Sequence, residues 1–261
     1  MRPRFAYDRQ RGLIVPRGEC EISSCGPMFF GGSSGPSDPY FSDVVLLCHF
    51  DGANGSTSFT DTSSLHHTLT PASNTKVTTT SPKFGTGCGD FSFNTAQYIN
   101  TPTGAAADFH FGSGQFTVEG WGYFTSAPGS GIFGVLTQFG GSTNLGWFLG
   151  MVSGSLAFYY STTGTDNPNV GAAYTPALNT WIHLAADRDA SNVLRVYAAG
   201  VVKASATVSS TIFASTQACM IGNDQGLARA FPGHLDDVRI TKGIARYGGA
   251  FTPPTAAFPD H

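Results

Sequence analysis

From Asp43 onward, apolar and polar residues alternate with a period of two, the spacing of side chains on a half-buried strand. Val44, Leu46, Cys48 and Phe50 alternate with Val45, Leu47 and His49. Phe91 and Phe93 share a face, as do Phe116 and Val118, with Thr117, Glu119, Trp121 and Tyr123 opposite. The runs IFGVLTQF, LGWFLGM and SLAFYY follow in quick succession between 132 and 160, separated by Gly, Ser and Asn. WIHLAADR, VLRVYA, VVKASATV, ACMIG and HLDDVRI come later. Ala199-Gly200 sits where a tight hairpin turn is needed, with Gly free to take positive φ. Short helical turns are expected near Ala105–Phe109 and Gly243–Tyr247, and no longer helix. Many short strands at this spacing predict an all-β fold, a sandwich or barrel. The ending GGAFTPPTAAFPDH leaves the pattern, with Phe251 and Phe258 placed to pin it across the sandwich.

The first 42 residues read differently. Residues 1–30 carry scattered Pro and Arg, and 31–42, GGSSGPSDPYFS, read as a flexible linker. The expected division is an anchoring arm with linker over 1–42 and a sandwich over 43–261. Arg2, Arg4, Arg9, Arg11 and Arg17 face only Asp8 in the first seventeen residues. They form either a basic arm that docks on an acidic partner or a solvated terminus. The whole chain has net charge −3, which does not nominate nucleic acid as a partner. Only 12% of residues are charged, against about 25% in an average domain, in keeping with polar turns rich in Gly, Ser and Thr. There is no signal-peptide pattern at the start and no run of about 18 apolar residues, so synthesis in a cytosol and no membrane span are expected. Five cysteines, an odd number, argue against a disulfide framework. Cys20 and Cys25 are close enough to pair, and Cys48 is expected to be a small buried hydrophobe.

Motifs for catalysis fail on context. GGSSG at 31–35 fits a nucleophile elbow, but it lies in the linker rather than between strand and helix. GSGIFG at 129–134 fits a dinucleotide loop, but neither a helix nor an acid about 20 residues on follows it. A glycosidase needs two carboxylates flanking the scissile bond. Past the arm, Glu119 is the single glutamate, and no acid-x-acid-x-acid run occurs. Asp187 and Asp189 have the right parity, but a turn is expected at 188–191. Asp236 and Asp237, as neighbours on a strand, should point to opposite faces. Asp236 shares parity with Val238 and Ile240 and is expected inward, where a carboxylate must be hydrogen-bonded, paired or metal-bound. It either accepts bonds from loop amides or joins Asp51 and Asp61 as a Ca²⁺ site. His66 and His67 are read as loop residues. Trp147, Tyr159 and Tyr160, with Phe148 and Phe158, either line a glycan platform or fill the core.

Five segments then resemble one family in its own order. VVLLCHFDGANGSTSFTDTSS, KFGTGCGDFSF, FGSGQFTVEGWGYF, NTWIHLAADRDASNVLRVYAAGVV and GHLDDVRITKGIARYGGAFTPPTAAFP are similar to successive pieces of laminin-G-like, concanavalin-A-like jelly-roll domains. The resemblance covers about 43–259 and implies an antiparallel two-sheet jelly roll. DDVRITKGIARY followed by FTPP is especially like modules of bacteriophage virion proteins. It implies a virion capsid, tail or fibre component made in the host cytoplasm, docked on capsid or tail proteins by its arm. The family's glycan and protein binding implies surface polysaccharide as an alternative ligand. Sheet edges offer a route to a homo-oligomer. The loop DTSSLHH lacks the family's Gly-Asn turn, and the hairpin has Ala-Gly in place of Asn-Gly.

Overall fold

The period-two segments form strands, and every named strand pair is antiparallel. The computed structural model describes residues 5–8, 13–16, 37–92, 96–224 and 230–261. The chain divides into two units, Met1–Pro36 and Ser37–His261. The first contains a hairpin of β1 (Phe5–Asp8) and β2 (Leu13–Pro16), registered from Phe5↔Pro16 to Asp8↔Leu13. Arg2, Arg4, Arg9, Arg11, Arg17, Cys20, Cys25, the 31–35 motif and Phe93 lie outside the described residues.

The second unit contains β3 (Val44–Cys48), β4 (Thr70–Ala72), β5 (Lys76–Thr78), β6 (Cys88–Asp90), β7 (Tyr98–Asn100), β8 (Phe116–Phe124), β9 (Ile132–Phe139) and β10 (Leu145–Val152). It continues with β11 (Ser155–Tyr160), β12 (Asn169–Ala173), β13 (Trp181–Arg188), β14 (Val193–Ala198), β15 (Val201–Thr207), β16 (Met220–Ile221) and β17 (Gly233–Lys242). One sheet has the order β12-β11-β10-β9-β16-β7-β4. The other has β15-β14-β13-β8-β17-β6-β5, with β3 also paired to β17. This is the expected two-sheet jelly-roll sandwich.

The core lies between the sheets. On β8, Phe116, Val118 and Phe124 point inward, as their spacing requires. The two inward glycines between them make room for neighbouring core side chains: a Cβ at Gly120 would meet Val238 Cγ1 of the paired strand β17 at 2.7 Å, and one at Gly122 would meet Phe231 Cζ at 2.9 Å. Leu149, Met151, Leu156 and Phe158 supply the facing layer. Phe111 stacks on Phe116 with ring centroids 4.2 Å apart, and Phe158 stacks on Phe116 at 5.1 Å. Cys48, Cys88 and Cys219 are buried thiols.

Three local expectations change. Residues 37–42 are part of the body rather than linker: Asp38 is buried and bridges to Arg239 at 3.0 Å and to Arg246 at 2.7 Å. The helical turn near 105–109 exists as a 3-10 helix, Thr103–Phe109, but Gly243–Tyr247 is not helical. There Gly243 takes φ +90°, and the Arg246 amide donates to Thr117 Oγ1. Finally, β17 carries a bulge. Asp236 pairs with Trp121 and Arg239 with Glu119, so Asp237 and Val238 together span the single step at Gly120. The bulge, with Asp237 at φ +47°, resets the parity. Val238 and Ile240 face the core, while Asp236 faces outward with Trp121, and Asp237 bonds to His49 on that same side. The expectations that Asp236 points inward and that Asp236 and Asp237 oppose each other are both corrected.

Candidate functional site

The outer face of the β9–β11 region holds a second apolar cluster, separate from the core. Phe139, Leu145 and Phe148 form it, with Ile132, Val152 and Tyr159 against them. Register explains the set. Trp147 pairs with Tyr160 and Phe148 with Tyr159, so each pair shares a face. Trp147 is fully buried in the core, its Nε1 donating to Phe109 O at 2.9 Å, and Tyr160 packs against that core. Neither can serve as an exposed platform. Tyr159 and Phe148 lie on the other face and line a groove of about 260 Å³. Phe148 meets Phe139 and Tyr159 edge-to-face, at 6.0 Å and 6.2 Å.

Two built loops rim the groove. In loop 140–144, Asn144 takes φ +61° and clasps Thr216, donating from Nδ2 to Oγ1 at 2.7 Å and accepting the Thr216 amide at 3.0 Å. In loop 161–167, Asp166 accepts from the Thr162 and Thr163 amides, both at 2.8 Å, and from the hydroxyls of Ser161, Thr162 and Thr163. Those hydroxyl bonds hold the Asp166 carboxyl far below the usual carboxylate range. The Leu145 amide donates to Gly164 O at 3.0 Å and ties the rims together. The groove therefore has an aromatic floor and a rim of hydroxyl and amide groups at Ser142, Thr165 and Asn167. Its lining residues include no carboxylate, histidine or cysteine, so it has no acid–base pair of the kind glycoside hydrolysis needs.

The outer face of the other sheet carries the ionisable groups, and they are spent on structure. Glu119 is buried and receives Arg239 from Nε at 2.9 Å and Nη2 at 2.8 Å. His183 Nε2 lies 3.2 Å away, and the Tyr247 hydroxyl donates to the same carboxylate. Burial pushes the Glu119 carboxyl up, but the Arg239 charge and the His183 and Tyr247 contacts outweigh it and bring it down to about 2. Asp38 joins Arg239 and Arg246 at the edge of this cluster. Asp187 accepts from the Tyr197 hydroxyl and the Gly248 amide, and Asp189 caps the turn at 189–193. Asp237 takes His49 Nδ1 at 2.5 Å and the Phe258 amide at 2.8 Å.

The expected Ca²⁺ ligands do not come together. Asp51 accepts from the Thr86 amide and hydroxyl. Asp61 accepts from the amides of Leu47, Ser63 and His67. Asp236 Oδ2 accepts from Lys83 and Phe84 at 2.8 Å and 3.1 Å. Asp51 and Asp236 staple the 83–86 loop through different amides, and Asp61 staples the backbone at 47 and 63–67. Among the described residues, no three His, Cys, Asp or Glu side chains converge as a metal would require. His66 and His67 lie in the loop held by Asp61, as the sequence suggests.

Sequence reasoning missed two features. The Glu119–Arg239–Asp38–Arg246 cluster was signalled by a lone glutamate on an apolar strand, which must find a cation. The groove was half signalled by the adjacent aromatics Trp147–Phe148 and Tyr159–Tyr160, since neighbours on a strand point to opposite faces and one of each pair must face outward.

A two-sheet antiparallel jelly roll with a rimmed outer groove defines the structural class. Residues 93–245 match the family described as the concanavalin A-like lectin/glucanases superfamily, in its laminin-G form, and the chain belongs to that family. No curated protein matches the sequence. Among solved structures, the receptor binding domain of botulinum neurotoxin D is similar at TM-score 0.60 and 13% identity, covering 79% of this chain and 51% of that one. The binding domain of Paraclostridial Mosquitocidal Protein 1 gives 0.60 and 13%, covering 79% and 50%. The binding domain of botulinum neurotoxin DC, solved with rat synaptotagmin II, gives 0.56 and 13%, covering 79% and 50%. This chain spans about half the length of those structures, and the likeness is one of fold. Among the described residues, no helix is long and apolar enough to cross a membrane.

Proposed function

We propose that this protein is a non-catalytic adhesion module that holds a surface polysaccharide in the β9–β11 groove. The observation that carries this reading is the groove itself. Apolar sugar faces fit an aromatic floor, sugar hydroxyls fit the Ser142, Thr165 and Asn167 rim, and the lining holds no carboxylate for hydrolysis. Rims tied down by Asp166 and Asn144 spare a ligand the cost of ordering them. The similar toxin domains are named as binding domains, which is in keeping with a binding role on this fold. The test is binding of the full-length protein to a panel of bacterial surface polysaccharides. Specific binding that Tyr159→Ala weakens by about tenfold supports the reading. Binding unchanged by that substitution, or release of cleaved sugar, refutes it.

A second reading follows from the division after Pro36. Residues 1–36 anchor the jelly roll on a larger particle of the virion type, as a capsid-decorating, tail or fibre component. Deleting them then abolishes particle incorporation and leaves the sandwich folded. Normal incorporation without them rejects this reading.

A further inference from the structure

The β9–β11 groove differs from one end to the other, and strand register is the reason. At one end of the β9–β10 hairpin Phe139 pairs with Leu145, and at the other Ile132 pairs with Val152. The length of β10, at about 3.3 Å per residue, sets these two pairs roughly 20 Å apart. Both rim loops stand at the Phe139–Leu145 end. Loop 140–144 joins β9 to β10 there, and loop 161–167 is tied in by the Ser161 amide on Gly146 O, at 2.8 Å, and the Leu145 amide on Gly164 O, at 3.0 Å. The polar lining side chains Ser142, Thr165 and Asn167 therefore all sit at that end, whereas the lining of the far end is aliphatic, Ile132 and Val152.

Tyr159 and Phe148 lie between the two ends. A Cβ at Gly150 would meet Phe148 Cε1 and Cζ at 2.8 Å, so the Phe148 ring lies over Gly150, toward the aliphatic end. Phe139, Leu145 and Phe148 are buried, while Ile132, Val152 and Tyr159 stay partly exposed. The apolar surface open to a ligand is thus the middle and the far end. Among the described residues that line the groove there is no Lys, Arg or His. The single ionisable side chain of the two rim loops is Asp166, set between Thr165 and Asn167. An acidic sugar would find no cation here and a carboxylate close by.

A plain sugar lying over Ile132 and Val152 would bury hydroxyls against side chains that offer neither donor nor acceptor, which costs affinity. A methyl group in the same place buries apolar area and gains it. Resting on the glycan reading above, we propose that the groove selects an uncharged polysaccharide whose repeat carries methyl-bearing groups, either acetyl groups or the methyl of a 6-deoxy sugar. Ile132 and Val152 are the specificity-determining residues that receive the methyl. Tyr159 carries the apolar face of the ring, and the hydroxyls beyond it meet Ser142, Thr165 and Asn167. The polarity of the groove gives the chain one direction in it.

The experiment measures binding of the full-length protein to bacterial polysaccharides of known repeat structure in three classes: neutral with acetyl or 6-deoxy groups, neutral without them, and acidic without them. Wild type is compared with Tyr159→Ala and with the double variant Ile132→Thr, Val152→Thr. Threonine keeps the β-branched shape at two partly exposed positions, and matching thermal unfolding curves verify that the fold is intact. Wild type is expected to bind the first class about tenfold or more tightly than the other two, and the double variant to lose that preference. Mild alkali, which strips acetyl esters and leaves N-acetyl and 6-deoxy groups, then tells which source supplies the methyl. Binding to no polysaccharide, or binding that Tyr159→Ala leaves unchanged, removes the glycan reading and this inference with it. Tyr159-dependent binding that is as tight for plain or acidic polymers overturns this inference alone. So does a preference for the first class that the double variant retains.

Discussion

At the scale of single residues, two carboxyl groups on one sheet face pull stability in opposite directions with pH. Burial pushes the Asp236 carboxyl up to about 8, against the two amide bonds from Phe84 and Lys83 and with help from Asp237. Its Oδ1 is buried and finds no hydrogen-bond partner among the described residues. The unfolded chain loses this proton near 3.8. Between those values unfolding releases a proton, so the group's contribution falls as pH rises and levels off above about 8. Asp236→Asn keeps an acceptor for the two amides and removes the titration. The variant should match or exceed the wild type, with a stability gap that widens from pH 5 to 8 and reaches about 2 kcal/mol or more in urea unfolding. A gap that does not change with pH would show that Asp236 is ionised in the fold. Glu119 has the reverse sign. Held at about 2 against an ordinary value of 4.5, it contributes stability above that higher value and loses it as pH falls toward 2. Glu119→Gln leaves Arg239 buried with Asp38 as its remaining charge partner and should cost about 3 kcal/mol at neutral pH, with less acid sensitivity below pH 4.

At the scale of elements, the C-terminal segment after β17 behaves as a strap. Tyr247 and Phe251 stack in parallel at 3.5 Å, and Phe251 and Phe258 close around the His183 ring. Phe258 covers the Arg239 guanidinium at 3.7 Å and packs with Val44 and Leu47. Phe258→Ala should cost about 3 kcal/mol in urea unfolding and speed tryptic cleavage at Arg246, the sign that the strap opens locally. An unchanged cleavage rate would mean that the strap is held by its backbone bonds alone. The sequence makes much of this level legible. Alternation on β8 places Phe116 and Val118 inward and Glu119 and Trp121 outward, and the placement of Phe251 and Phe258 anticipates a tail laid over the sandwich. What alternation cannot carry is a break in its own period. The bulge at Asp237 adds one residue to β17 and moves Asp236 to the other face, although nothing in DDVRI marks the spot. The groove was half legible for a similar reason. The aromatic run Trp147–Phe148 and Tyr159–Tyr160 signals both a core and a platform, and which member serves which depends on a one-residue choice of register.

At the scale of the whole molecule, the boundary between arm and body is an electrostatic matter rather than one of composition. GGSSGPSDPYFS reads as one polar stretch, yet its second half belongs to the body. Asp38 donates its amide to no local turn but to His261 O, at 2.9 Å, and its carboxylate pairs with Arg239 and Arg246. Those arginines keep the Asp38 carboxyl below its ordinary value against the opposing effect of burial. One residue near the start of the body thereby closes the network that reaches Glu119 on β8 and the strap at Arg246. Two truncations separate the alternatives. A chain of residues 37–261 keeps Asp38 and should unfold cooperatively with the stability of the full chain to within about 0.5 kcal/mol, since Ser37–His261 is a compact unit with a hydrophobic core of its own. A chain of residues 43–261 removes Asp38, leaves two arginines beside a single buried glutamate, and should lose about 3 kcal/mol in urea unfolding. Equal stability of the two truncations would place the boundary at Asp43 and reduce the Asp38 bridges to surface decoration. A loss confined to the shorter chain, largest above pH 4 where Asp38 is ionised in both states, makes residues 37–42 the first element of the jelly roll.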